Sequence, residues 1–235
     1  MGYIVKHLKL TSMKKILFSM ALLCTFAVNA FSAGPDPKKE WKPLFTDNLS
    51  NATYDKSAWT YQDGVLTATK DKEIWTNIQY ENFILELEFK TDDATNSGVI
   101  VYCTDRNNWI PNSVEIQIAD DYNPEMEKQH PRYLCGAIYG HLGAKQQKVV
   151  KKPGEWNKMK IVCNGKKISV TLNGKKVTDM DMRKWTSGTT NPDGTDIPSW
   201  LPTPFAELPT SGYIGLQGKH GNSKIEFRKM KIRSL

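Results

Sequence analysis

The chain has 235 residues, of which 39% are hydrophobic and 24% charged, and its formal net charge is +7. That balance excludes a disordered or fibrous chain and fits a soluble globular protein. The charge is uneven: residues 1–33 hold Lys6, Lys9, Lys14 and Lys15 and no acid, while the remainder carries 28 basic and 25 acidic residues. So mild a surplus leaves no electrostatic footprint for a nucleic-acid partner.

Lys14-Lys15 precede a mostly apolar stretch from Ile16 to Val28, and small residues follow at Ala30, Ser32 and Ala33. The charged–apolar–small order predicts a secretory signal peptide over residues 1–33. The apolar stretch is too short for a comfortable membrane span, so no span is expected once the leader is removed. Met13 reads as a natural start, which makes residues 1–12 an upstream extension. Cleavage after Ala30 or Ala33 would give a secreted or periplasmic protein. Lipoprotein anchoring at Cys24 is disfavoured by the bulky Leu23 before it. Cys103, Cys135 and Cys163 remain, an odd number that permits one bridge at most or three buried thiols.

Residues 34–40 form a polar linker, Gly34-Pro35-Asp36-Pro37-Lys38-Lys39 and Glu40. From Trp41 to Leu235, strand-like runs recur between turn signals. Gly64 to Ala68 follows the turn at Gln62-Asp63. Phe83, Leu85, Leu87 and Phe89 alternate with mostly polar residues, the period of a half-buried strand. Val99 to Cys103 is apolar on both faces, and Ser113 to Ile118 alternates again. Lys158 to Cys163 and Ile168 to Leu172 flank Asn164-Gly165, and Asn173-Gly174 precedes Lys175-Lys176-Val177. Asn-Gly supplies the positive φ angles of tight hairpins. Tyr213 to Gln217 and Lys224 to Ile232 give the last strands. The fold class is all-β with antiparallel sheets, a sandwich or a barrel. Arg183 to Pro209 is irregular and Pro-rich, yet it carries Trp185, Trp200 and Phe205, which give it something to bury.

In Ser113 to Asp120, Val114, Ile116 and Ile118 point one way and Glu115 and Gln117 the other, about 7 Å apart along the strand. A carboxylate beside an amide suits hydroxyl-rich ligands; a solvated polar face is the plainer reading. Gly212 to Gly221 confines Gln217, Lys219 and His220 in a glycine-rich turn, and a histidine there exchanges protons near neutral pH or simply bonds its neighbours. In Gly136 to His141, Tyr139 could stack on a sugar ring or pack in the core. Asp92, Asp93 and Asn96 carry oxygen donors that suit calcium, although a plain polar turn is favoured.

In this order, the motifs resemble the 3-keto-disaccharide hydrolase domain family, a concanavalin-like jelly roll of secreted and periplasmic bacterial proteins. The matching residues are Trp41-Lys42-Pro43-Leu44-Phe45, Trp59 with Asp63-Gly64-Val65-Leu66, Asn82-Phe83 and Asn96-Ser97-Gly98. The series continues through Glu115-Ile116-Gln117-Ile118, Gly136-Ala137-Ile138-Tyr139, Pro153-Gly154-Glu155-Trp156-Asn157 and Leu172-Asn173-Gly174 to Gly212-Tyr213-Ile214-Gly215-Leu216-Gln217. The resemblance implies two curved antiparallel sheets with a sugar cleft on the concave one, and an enzyme that cleaves 3-keto-glycosides by elimination or hydrolysis. The family often has an acid before the final His-Gly, where this chain reads Gln217-Gly218-Lys219-His220.

Such a reaction needs a base, an enolate stabiliser and a leaving-group acid. The expected base is His220 or Glu115. Lys219, Gln117 or a bound divalent cation is expected to stabilise the oxyanion, and Tyr139 or His141 to assist the leaving group. Gln217 is expected to bind substrate, with Trp109, Trp185 and Trp200 as sugar platforms. The competing functions are a noncatalytic carbohydrate-binding module and a laminarinase-type glucanase. The second needs two carboxylates close together on one strand, and the amide of Gln117 argues against that pairing.

Overall fold

The computed structural model describes residues 40–220 and 223–235. The expected leader, its cleavage sites, most of the linker and Gly221 lie outside the described residues. Within them the strands are β1 (Lys42–Pro43), β2 (Ala52–Tyr54), β3 (Trp59–Gln62), β4 (Val65–Ala68), β5 (Ile74–Thr76), β6 (Phe83–Thr91), β7 (Asn96–Cys103), β8 (Val114–Ala119), β9 (Trp156–Asn164), β10 (Lys167–Leu172), β11 (Lys175–Asp181), β12 (Tyr213–Leu216) and β13 (Ile225–Ser234). One sheet has the order β11-β10-β9-β6-β13-β4-β3, with β1 also against β13; the other has the order β2-β5-β12-β7-β8. Every strand pairing is antiparallel.

Alternation explains how the two sheets stack. In the larger sheet, β6 buries Phe83, Leu85, Leu87 and Phe89 and leaves Glu86 and Lys90 partly exposed. In the smaller sheet, Val99 and Val101 of β7 and Val114, Ile116 and Ile118 of β8 meet them in one hydrophobic core. The result is the all-β jelly-roll sandwich that the sequence pattern and the resemblance predict, with two antiparallel sheets face to face. The β10–β11 hairpin turns at Asn173 (φ 48°) and Gly174 (φ 84°), the doubly positive pair that the primed turn requires.

Some details differ from the sequence reading. β7 begins at Asn96 rather than Val99, because Asn96, Ser97 and Gly98 pair with Ala119, Ile118 and Gln117. Short strands β1, β2 and β5 carry too few residues for a periodic signal. The segment from Arg183 to Pro209 contains little regular structure, but Trp185, Ile197, Phe205 and Leu208 pin it into the core. Cys103, Cys135 and Cys163 are buried thiols. Among the described residues no helix is long and apolar enough to cross a membrane.

Candidate active site on the five-stranded sheet

Val99 and Val101 of β7 and Val114, Ile116 and Ile118 of β8 face the core between the sheets, so the alternate side chains of both strands share the other face of the smaller sheet, where Ile100 packs with Trp75 and Trp109. The strand registers arrange that face in rows. Trp75 on β5, Gly215 on β12, Ile100 on β7 and Glu115 on β8 form one row. The next holds Gln217, Gly98 and Gln117: the Gln217 N–H donates to the Gly98 carbonyl, and Gly98 is paired with Gln117. A third brings Asn96 beside His220.

Gly98 is the low point of this face. A methyl group there would collide with Oε1 of Glu115, so the missing side chain makes room for the carboxyl. Gly215 serves Trp75 in the same way, since the indole ring lies directly over it. Beside β8, the segment Gly136–Tyr139 continues the sheet: the Gln117 N–H donates to the Ala137 carbonyl, the Gly136 N–H to Gln117, and the Tyr139 N–H to the Glu115 carbonyl. Tyr139 is thereby set next to Glu115, with its ring edge-on to Tyr133 at 5.3 Å.

The electrostatics follow from burial. Desolvation, with a further contribution from the negative charge of Glu73, pushes Glu115 up to about 8, so the carboxyl holds its proton at neutral pH. Tyr139 is also raised, by burial first and then by Glu115 and Tyr133, and stays a donor. Glu73 accepts a hydrogen bond from the indole N–H of Trp109 at 3.0 Å, and Trp109 packs edge-on against Trp75 with centroids 6.5 Å apart. The Gln117 amide donates to Oδ1 of Asn96 at 2.9 Å. Its own oxygen and that of Gln217 are buried with no donor among the described residues, so each keeps unused accepting capacity.

His220 lies toward the far end of this face. Its Nδ1 is 2.8 Å from Oδ2 of Asp71, and both side chains are about half exposed. Hydrogen bonding between the Lys219 N–H and the Lys70 carbonyl runs the two segments side by side. With Nδ1 engaged by Asp71, Nε2 is the ring nitrogen left for a ligand. Its row is four residues from that of Glu115, about 13 Å along the strand direction.

The structure thus brings Glu115, Gln117, Gln217, Tyr139, Trp109, Lys219 and His220 to one face or its margin. Two expected residues lie elsewhere. His141 is buried, its ring stacked on Phe205 at 3.8 Å, and its Nδ1 donates to the Tyr139 carbonyl at 2.8 Å. Desolvation, aided by the charge of Arg132 and opposed by that hydrogen bond, pushes it down to about 4. Trp185 is only 6% exposed and donates its N–H to Asn191 at 2.9 Å, so neither residue presents a face to a sugar. Trp200 is 54% exposed on the long loop. Asn96 turns to Gln117 rather than to the Asp92–Asp93 turn, which closes on itself through Thr95.

Sequence reasoning missed Asp71, Glu73 and Trp75. β5 is too short for a periodic signal, and only its pairing with β12 brings these residues to the face. Among the described residues no three His, Cys, Asp or Glu side chains cluster as a metal site, so the expected cation has no ready donor set there.

The pattern of the 3-keto-alpha-glucoside-1,2-lyase-like domain matches residues 40–233. A candidate glycosyl hydrolase of Parabacteroides distasonis ATCC 8503 is 68% identical, with a TM-score of 0.83 over 84% of this chain and 100% of that one. A second candidate glycosyl hydrolase from the same organism is 24% identical, with a TM-score of 0.67 over 83% of this chain and 94% of its own. The carbohydrate-binding module CBM66 of Bacillus subtilis, 12% identical, shares the fold with a TM-score of 0.51 over 81% of this chain and 99% of its own. The chain has no match among curated proteins.

Proposed function

Since the chain belongs to the 3-keto-alpha-glucoside-1,2-lyase-like domain family, we propose that it cleaves 3-keto-glycosides on the outer face of the five-stranded sheet. The observation that carries this reading is the Glu115 carboxyl packed over Gly98, on the same face as the His220–Asp71 pair. Two titratable groups in different environments suit opposite halves of a proton transfer.

A ketone at C3 acidifies the hydrogen on C2. Nε2 of His220 takes that proton while Asp71 holds the imidazole through Nδ1–H; the Glu115 carboxyl leans over Gly98 toward the His220 row, and the two side chains must reach across the remaining gap to act on neighbouring atoms of one sugar. The C2–H electron pair becomes an enolate, then forms the C1–C2 double bond as the C1–oxygen bond breaks and the C3 ketone returns. The Glu115 carboxyl gives its proton to the departing oxygen. Addition of water across the double bond, hydroxyl to C1 and hydrogen to C2, completes net hydrolysis. The amide oxygens of Gln117 and Gln217 accept from ring hydroxyls, and Trp109 offers an apolar wall.

The test is mass spectrometry of products from a panel of 3-keto-glycosides. Glu115→Gln and His220→Ala are each expected to lose about 100-fold or more in kcat/KM, and activity should decline as pH rises through about 8, where Glu115 loses its proton. Full activity in both variants sinks the assignment. Binding without turnover selects a carbohydrate-binding module instead. The nearness of Glu73 to Glu115 favours a second reading, hydrolysis of unoxidised glycosides by a carboxyl pair; turnover of an unoxidised glucan that Glu73→Gln abolishes would select it. The order of residues 14–33 supports export, and the secreted protein is expected to begin at Phe31 or Gly34 on N-terminal sequencing.

A further inference from the structure

The outer face of the larger sheet carries a groove of about 710 Å³, within the range of small-ligand sites. It belongs to the opposite side of the sandwich from Glu115. Strand register builds it. Pro43, Lys231, Glu86, Lys160 and Thr171 form one continuous cross-strand row over β1, β13, β6, β9 and β10. Five strands at their usual spacing make that row about 19 Å long. A second row sets Lys158 beside Glu88 and Glu88 beside Arg228. At Lys229 (φ 50°) the pairing of β13 slips, and its ammonium turns to Glu88 at 3.2 Å.

The charges do not balance. Five lysines (42, 158, 160, 229 and 231) and two glutamates line the groove, a surplus of three positive charges. Both glutamates are already occupied. Glu86 is 3.1 Å from Lys231 and 3.9 Å from Lys160, and Glu88 is 2.6 Å from Arg228 besides its contact with Lys229. Lys158 has no carboxylate partner among the described residues. At one end Trp41 is 38% exposed, under Lys231 at 4.6 Å and Arg233 at 5.2 Å. A long groove with an aromatic end wall and ammonium groups along its sides fits a ligand with apolar ring faces and regularly spaced negative charges.

We propose that this groove is a second carbohydrate site, which binds an acidic oligosaccharide and holds a polymer while the opposite face acts on its own substrate. Isothermal titration with trigalacturonate, maltotriose as the neutral control, tests it. Trigalacturonate should bind, and maltotriose about tenfold or more weakly. The Lys158→Glu/Lys160→Glu double variant should lose about tenfold in affinity, and raised salt should act in the same direction. Lys158→Ala with an unchanged thermal midpoint guards against misfolding and should show a smaller loss. Glu115→Gln should bind as the wild type does, which separates failure of this site from failure of the proposed catalysis. Equal affinity for maltotriose, insensitivity to the lysine variants, or binding only to anionic phosphatidylglycerol vesicles would overturn the proposal.

Discussion

Glu115 is held where a carboxylate is poorly solvated, over the backbone of Gly98 with Tyr139 alongside. Its folded value of about 8 lies above the ordinary 4.5, so between these values the folded chain keeps a proton that the unfolded chain has released. Stability therefore falls as pH rises through that window. Glu115→Gln removes the loss: at pH 9 the variant should resist denaturant better than the wild type, by up to a few kcal/mol, and at pH 4 the two should coincide. Gly98→Ala tests the geometry. The added methyl displaces the flexible end of Glu115 rather than backbone, so circular dichroism should be unchanged while kcat falls about 100-fold.

At the scale of elements, β8 shows what the sequence could reveal. Its strict alternation assigned Val114, Ile116 and Ile118 to the core and put Glu115 and Gln117 together on the other face. The Asn173-Gly174 hairpin was equally readable, because its turn chemistry is local. Asp71 and Glu73 were not, since only the non-local pairing of β5 with β12 brings their segment to the site. His141 and Trp185 misled for another reason: an aromatic ring that anchors a loop has the same composition as one that stacks on sugar. His141 has a measurable role in that anchoring. Buried neutral, with a value of about 4 against an ordinary 6.5, it makes stability fall as pH drops from about 6.5 to 4, where the unfolded chain takes up a proton first. His141→Phe keeps the stacking on Phe205 and should flatten that limb of a denaturation-against-pH curve by up to about 3 kcal/mol.

For the whole molecule, the sandwich gives two chemically different outer faces on one core. One combines amides, a protonated carboxyl and indoles; the other is ruled by lysine–glutamate rows. The strands that build both faces are joined largely by contacts between distant parts of the chain, as in other β-sandwiches, and such topologies refold in milliseconds to seconds rather than microseconds. Stopped-flow refolding followed by tryptophan fluorescence should show that slow regime. Deletion of residues 225–235 should leave no cooperative unfolding transition.

The position of β13 explains why so short a deletion matters. β13, the last strand of the described residues, lies in the middle of its sheet, against β6 on one side and β4 and then β1 on the other. Until the ribosome has released those residues, β4 and β6 have no neighbour to share, and the larger sheet stays in two pieces. The larger sheet thus cannot close before residues 225–234 have been made, although every other strand in it precedes them in the chain.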